Sequence, residues 1–248
     1  MNFDILDTEK TAKEFRQYRL NKIENEEVWS PMSKGPYYVL HWLPILENVL
    51  FNPDSIKSME FSKFIRMERF GYEKKLNADG VRFYSTEKDE IRKPRIVPNK
   101  GQKLRYFWNA QIFRSGALEM AFALTFFDDS PVTKWIDPSD ITEKFWDVMD
   151  GFKDCMSHFN VTAPIMVGVS LLRVRGYRLA FDEHERFRSG DRSPREPSDR
   201  EQIILQEVME NLQNTEKIER SIFDTLWQAF GLSECEYYDE NGKRKSIK

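Results

Sequence analysis

Residues 164–174, PIMVGVSLLRV, form a nearly continuous apolar run of strand length. Such a run, rich in β-branched residues and without polar alternation, predicts a strand buried on both faces. A strand of that kind needs a layer of structure on each side of its sheet.

Other strand signals follow. Residues 37–46, YYVLHWLPIL, read as a strand that Pro44 interrupts near its end. Asp79-Gly80 makes a turn into an alternating strand over 77–85. The segment 104–114 alternates, with Leu104, Tyr106, Trp108, Ala110 and Ile112 on one side and Arg105, Phe107, Asn109, Gln111 and Phe113 on the other. Ser115-Gly116 turns the chain, because glycine reaches the positive φ that a tight hairpin needs. The return strand carries Leu118, Met120, Phe122, Leu124 and Phe126 on one face and Ala117, Ala121 and Ala123 on the other. That small-residue face suits a closely packed helix, and the next element is expected to supply it.

Helix signals are spread along the chain. Residues 8–26 are mostly polar, with only Phe15, Tyr18 and Ile23 on a stripe, so an outer or partner-facing helix is expected within residues 1–30. The stretch 52–67 starts with turn chemistry and spaces Ile56, Met59 and Phe64 as a helix would. Asp137-Pro138 matches an N-cap followed by proline at the first helical position. Ile141, Phe145, Val148, Met149, Phe152, Met156 and Phe159 then recur at helical spacing. Residues 182–198 are charged and broken by Gly190, Pro194 and Pro197, which predicts a mobile loop. Ser198 and Glu201 form a capping-box pattern opening a helix with Ile204, Val208 and Leu212. A second helix carries Ile218, Ile222, Leu226 and Phe230 and stops at Gly231, making 199–231 a helix pair. The expected fold over 1–248 is one mixed α/β (α+β) domain: a largely antiparallel sheet packed by helices, with a helical C-terminal portion.

Composition narrows the function classes. The chain has 248 residues, 40% hydrophobic and 32% charged, with 19 Phe and 6 Trp, which excludes a disordered chain. A net charge of −3 argues against a protein that coats nucleic acid over its whole surface. Two cysteines, Cys155 and Cys235, give no disulfide framework. The N-terminal residues lack a secretory pattern and no run reaches membrane-span length, so a soluble, cytoplasmic protein is expected.

Nucleotide-binding glycine motifs and the G-x-S-x-G elbow are absent, and no cofactor is expected. His41, His158 and His184 are too far apart for a zinc site. Cys155 and His158 on one helix have poor geometry for a nucleophile and its base. Asp79, Glu119 and Asp128 flank or occupy strands, where Mg²⁺-dependent nucleases place paired acids. Asp79 and Glu119 are the catalytic candidates on that reading, although the E/Q-x-K partner is missing. The alternative is that Asp79 shapes its turn and Glu119 pairs with Arg114. Between positions 92 and 114 stand Arg92, Lys93, Arg95, Lys100, Lys103, Arg105 and Arg114, with no acid among them. Aromatics interleave with these cations, so the segment is the candidate surface for DNA or RNA: phosphates to the cations, bases to the rings.

Six stretches carry a resemblance to a known family: FRQYRLNKI (15–23), YYVLHWLPI (37–45), LNADGVRFY (76–84), AQIFRSGALE (110–119), VGVSLLRVRGYRL (167–179) and IFDTLWQAFG (222–231). In order, they resemble the C-terminal region of bacterial Schlafen-like, AlbA-type ATP- or DNA-binding proteins. The binding module of that family lies upstream of the matching region, and this chain shows none of it, so the resemblance transfers no ATP site and no catalytic residue. It implies a non-catalytic accessory domain, engaged in protein–protein interaction with a partner that processes nucleic acid, in antiviral or other bacterial defence.

Overall fold

A computed structural model describes residues 8–28, 35–45, 51–58, 72–85, 108–124, 126–130, 133–181, 197–213 and 215–246. Its centre is a seven-stranded antiparallel sheet of β1 (Tyr37–Pro44), β2 (Tyr72–Asn77), β3 (Gly80–Ser85), β4 (Trp108–Phe113), β5 (Leu118–Ala123), β8 (Ile165–Leu172) and β10 (Gln202–Met209), in the order β10-β8-β1-β5-β4-β3-β2. A smaller three-stranded sheet joins β6 (Phe126–Ser130), β7 (Thr133–Ile136) and β9 (Tyr177–Leu179), with β7 and β9 parallel. The mixed, largely antiparallel architecture is therefore the one the alternation patterns predict.

The apolar run lies where its composition requires. β8 is buried along its whole length between β1 and β10, and β1 is equally buried. One sheet face, with Tyr38, Leu40, Trp42, Trp108, Ala110, Leu118, Met120, Phe122 and Val169, carries the main core. Helices α3 (Pro138–His158) and α4 (Thr215–Gln228) pack there through Phe145, Met149, Phe152, Ile222 and Phe223. Asp137 caps α3 by accepting from the Ser139 N–H at 3.0 Å. α2 (Pro53–Ser58) sends Ile56 into the same core, while Met59 and Phe64 lie outside the described residues.

The other face is closed by α1 (Glu9–Glu24), whose cap is a reciprocal Thr8–Thr11 pair. Two expectations are corrected here. The alanine face receives α1, not the helix that follows it: Ala12 and Phe15 pack with Ala117, and Leu20 and Ile23 with Ala121. α1 is thus an integral layer, not an outer helix. Its buried stripe is Ala12, Phe15, Arg16, Arg19, Leu20 and Ile23, and its two arginines made it look polar from sequence.

The predicted helix at the start of 199–231 is also corrected, because residues 202–209 are strand β10. Ser198 Oγ accepts from the Arg200 N–H at 3.3 Å, a local turn instead of a helix cap. Ile203, Ile204 and Val208 are β-branched, and β8 would otherwise leave an apolar edge unpaired, so tertiary pairing overrides a helical spacing. α4 is the second predicted helix, and Gly231 follows it at φ 80°. The loop expected over 182–198 lies outside the described residues except for its last two. Among the described residues, no helix is long and apolar enough to cross a membrane.

Candidate functional site

The strand registers align one polar row across the whole sheet on the α1 side. Gln206, Gly168, His41, Glu119, Gln111, Arg82 and Lys75 are successive cross-strand partners from β10 to β2. The row has apolar flanks: Val39 and Leu43 beside His41, and Ala117 and Ala121 beside Glu119, are all buried. α1 adds Arg16 and Arg19, which a spacing of three residues places on the same helix side.

Glu119 is the centre of this arrangement, and it is 1% exposed. Arg19 donates to it in a fork, Nε to Oε2 and Nη2 to Oε1, both at 2.8 Å. His41, fully buried, sits with Nε2 3.0 Å from Glu119 Oε2. Burial alone would raise the Glu119 carboxyl, but the Arg19 charge and the hydrogen bonds from Arg19 and His41 outweigh it and hold the group well below the usual carboxylate range. Burial lowers His41, with Arg16 and Arg19 adding to that effect against the attraction of Glu119. The imidazole is therefore neutral and donates Nε2–H to the carboxylate. The Arg19 guanidinium also lies over the Phe113 ring at 5.0 Å.

Arg16 uses the gap that a missing side chain leaves. A Cβ on Gly168 would stand 2.3 Å from Arg16 Nε and 2.6 Å from its Cζ. From there Nη2 donates to Val169 O at 2.8 Å and Ser170 Oγ at 2.7 Å, and Nη1 donates to Gln206 Oε1 at 3.2 Å. All three acceptors are neutral, and burial brings the Arg16 pKa down to about 10. Farther along the row, Gln111 Oε1 accepts from Asn77 Nδ2 at 3.0 Å and from Arg82 Nε at 3.1 Å.

A second polar cluster lies across the main core. Arg244 donates to both oxygens of Glu219, at 2.7 and 2.9 Å, and to both oxygens of Asp150, at 3.0 and 3.1 Å. Glu219 is fully buried on α4 and Asp150 stands on α3, so Arg244 fastens the C-terminal residues across both helices.

The catalytic candidates do not converge on an open site. Asp79 lies in the exposed β2–β3 turn, where its backbone N–H donates to Asn77 Oδ1 at 3.1 Å, so the side chain that shapes this turn is that of Asn77. Glu119 is interior with both oxygens engaged, and its cation is Arg19 instead of Arg114. Asp128 is on β6 in the smaller sheet. Among the described residues, no group of three or more His, Cys, Asp and Glu side chains could hold a metal ion. Cys155 is buried while His158 is exposed, so the two diverge; burial raises the Cys155 thiol to about 12. His184 lies outside the described residues. Of the basic segment, Arg114 is exposed at the β4–β5 turn, whereas Arg92, Lys93, Arg95, Lys100, Lys103 and Arg105 lie outside the described residues.

Sequence reasoning missed the joining of Arg16, Arg19, His41 and Glu119. The signal was present: two arginines interrupt the apolar stripe of α1, and one glutamate interrupts an alanine face. A buried acid requires a cation. Comparison with protein-family models finds no match, and comparisons with curated proteins and solved structures find no significant match.

Proposed function

We propose that the chain is a non-catalytic interaction domain acting in the cytoplasm beside a partner that processes nucleic acid, in the setting of bacterial defence. The observation that carries the non-catalytic reading is the state of Glu119. Among the described residues, Glu119 is the one carboxylate that meets both an imidazole and a guanidinium, and it is paired in charge with Arg19 and enclosed between α1 and the sheet. A general base must reach a substrate proton, and a metal ligand must offer free lone pairs. Glu119 is buried with both oxygens already accepting, so it is placed for neither task and its chemistry serves the fold. The Schlafen-like resemblance supplies the nucleic-acid setting.

A second reading, direct DNA or RNA binding through 92–114, is favoured by the exposure of Arg114 at a hairpin tip continuous in sequence with the other six cations. Fluorescence anisotropy with labelled single- and double-stranded DNA and RNA, at low and moderate salt, tests it. Replacing Lys100, Lys103 and Arg105 by Ala should weaken binding and reduce the slope of log K against log salt by roughly 2–3. An unchanged slope would count against that surface. The absence of any salt-sensitive binding, with no partner recovered on co-purification, would count against the nucleic-acid setting altogether.

A further inference from the structure

The two edges of the large sheet are built differently. β2, at one edge, reads Tyr-Glu-Lys-Lys-Leu-Asn, and lysines on an edge strand oppose pairing with another chain. β10, at the other edge, reads Gln-Ile-Ile-Leu-Gln-Glu-Val-Met, eight residues with one charge, no proline and an unbroken register to β8. Ile204 on this strand is 40% exposed. Among the described residues no strand lies on the outer side of β10.

The direction of its backbone groups follows from the ladder. Ile45 N–H donates to Pro164 O at 2.9 Å and Leu124 N–H to Pro36 O at 3.1 Å. Together with the registers, both bonds set the same alternation: odd residues of β1 bond β8 and even ones bond β5. Even residues of β8 therefore face β1 and odd ones face β10. Carried one strand further, Ile203, Leu205, Glu207 and Met209 bond β8, while Ile204, Gln206 and Val208 turn their N–H and C=O groups outward.

We propose that this edge pairs with the same edge of a second copy, β10 antiparallel to β10, with the two-fold axis at Gln206. In that register Ile204 lies opposite Val208 of the other copy on the α1 side, and Gln206 lies opposite its own counterpart. Glu207, the one charge of the strand, faces Leu205 of the other copy and not itself. Its Oε1 is also drawn toward α4 by Ser221 Oγ at 3.0 Å, which keeps it from crossing the edge. The strand is thus self-complementary in backbone hydrogen bonding and in apolar pairing. The second copy extends the sheet from seven to fourteen strands. This inference is independent of the nucleic-acid reading.

Sedimentation equilibrium of the full chain, in a concentration series up to about 0.2 mM, tests it, since one strand pair is a small interface with affinity on the order of micromolar. The expected result is a reversible monomer–dimer equilibrium. Ile204→Lys should weaken it at least tenfold with unchanged circular dichroism, and Leu76→Lys on the opposite edge should leave it unaltered. Hydrogen exchange should show the amides of Ile204, Gln206 and Val208 slowing as concentration rises. Gln206→Cys should give a covalent dimer under mild oxidation, because hydrogen-bonded antiparallel partners lie about 5.5 Å apart at Cα, within disulfide reach. A monomer throughout the series would overturn the proposal, as would a dimer indifferent to Ile204→Lys or dissociated by Leu76→Lys. A dimer in which Gln206→Cys fails to cross-link would overturn the register.

Discussion

Replacing Glu119 by Leu tests whether the buried row is scaffold. The substitution leaves Arg19, packed in the interior, without its bidentate acceptor, and leaves the His41 Nε2–H without its carboxylate. Breaking one side of a buried ion pair costs about 3–5 kcal/mol. Domains are stable by about 5–15 kcal/mol, so the loss takes a large share of the whole. At about 2–4 °C per kcal/mol for a chain of this size, Tm should fall by roughly 6–20 °C. Arg19→Met should be comparably damaging. The double variant Arg19→Met/Glu119→Leu should recover most of the loss and lie within about 2 kcal/mol of wild type, because removing both charges removes the desolvation penalty with the attraction. Urea unfolding at pH 7 with a double-mutant cycle measures the coupling. Additive single effects would refute the reasoning, and so would a Glu119→Leu loss below about 0.5 kcal/mol, within the range of ordinary surface substitutions.

Further outcomes follow from the same geometry. Gly168→Ala should destabilise by about 1–3 kcal/mol through overpacking against Arg16, and its cost should shrink in an Arg16→Ala background, as read by denaturant unfolding. Burial lowers the His41 pKa, so its neutral ring takes up a proton on unfolding; stability present above about pH 6.5 is lost as pH falls below that value. His41→Gln should flatten the fall in stability between about pH 7 and 5, and an unchanged slope would contradict the neutral assignment. Burial raises Cys155 and Cys235 to about 12, so neither should react with a chromogenic disulfide reagent in the native protein, and both should react in denaturant.

Much of the fold was legible because it rests on local rules. The run at 164–174, the Asp-Gly and Ser-Gly turns and the Asp137-Pro138 cap each fix an element by steric and hydrogen-bond requirements within a few residues. β10 was not legible, because Ile204, Val208 and Leu212 also satisfy a helical spacing, and only the open side of β8 decides between the two. β2 leaves no sequence signal because an edge strand exposed to water carries no apolar alternation. From sequence α1 has the pattern of an outer helix because two of its core-facing residues are arginines, whose acceptors come from β5, β8 and β10, far away in sequence. The candidate site was legible only as single residues. Glu119 stood out, but its partners depend on which helix covers the alanine face, a choice set by long-range packing.

The most direct test of a scaffold role for Glu119 is an oligonucleotide assay on wild type and on the folded Arg19→Met/Glu119→Leu variant, with Mg²⁺ present and the oligonucleotide inspected for cleavage. The account predicts an intact oligonucleotide in both samples and the same affinity, with whatever salt dependence wild type shows. Cleavage by wild type that disappears in the double variant would make Glu119 a catalytic residue and contradict the account.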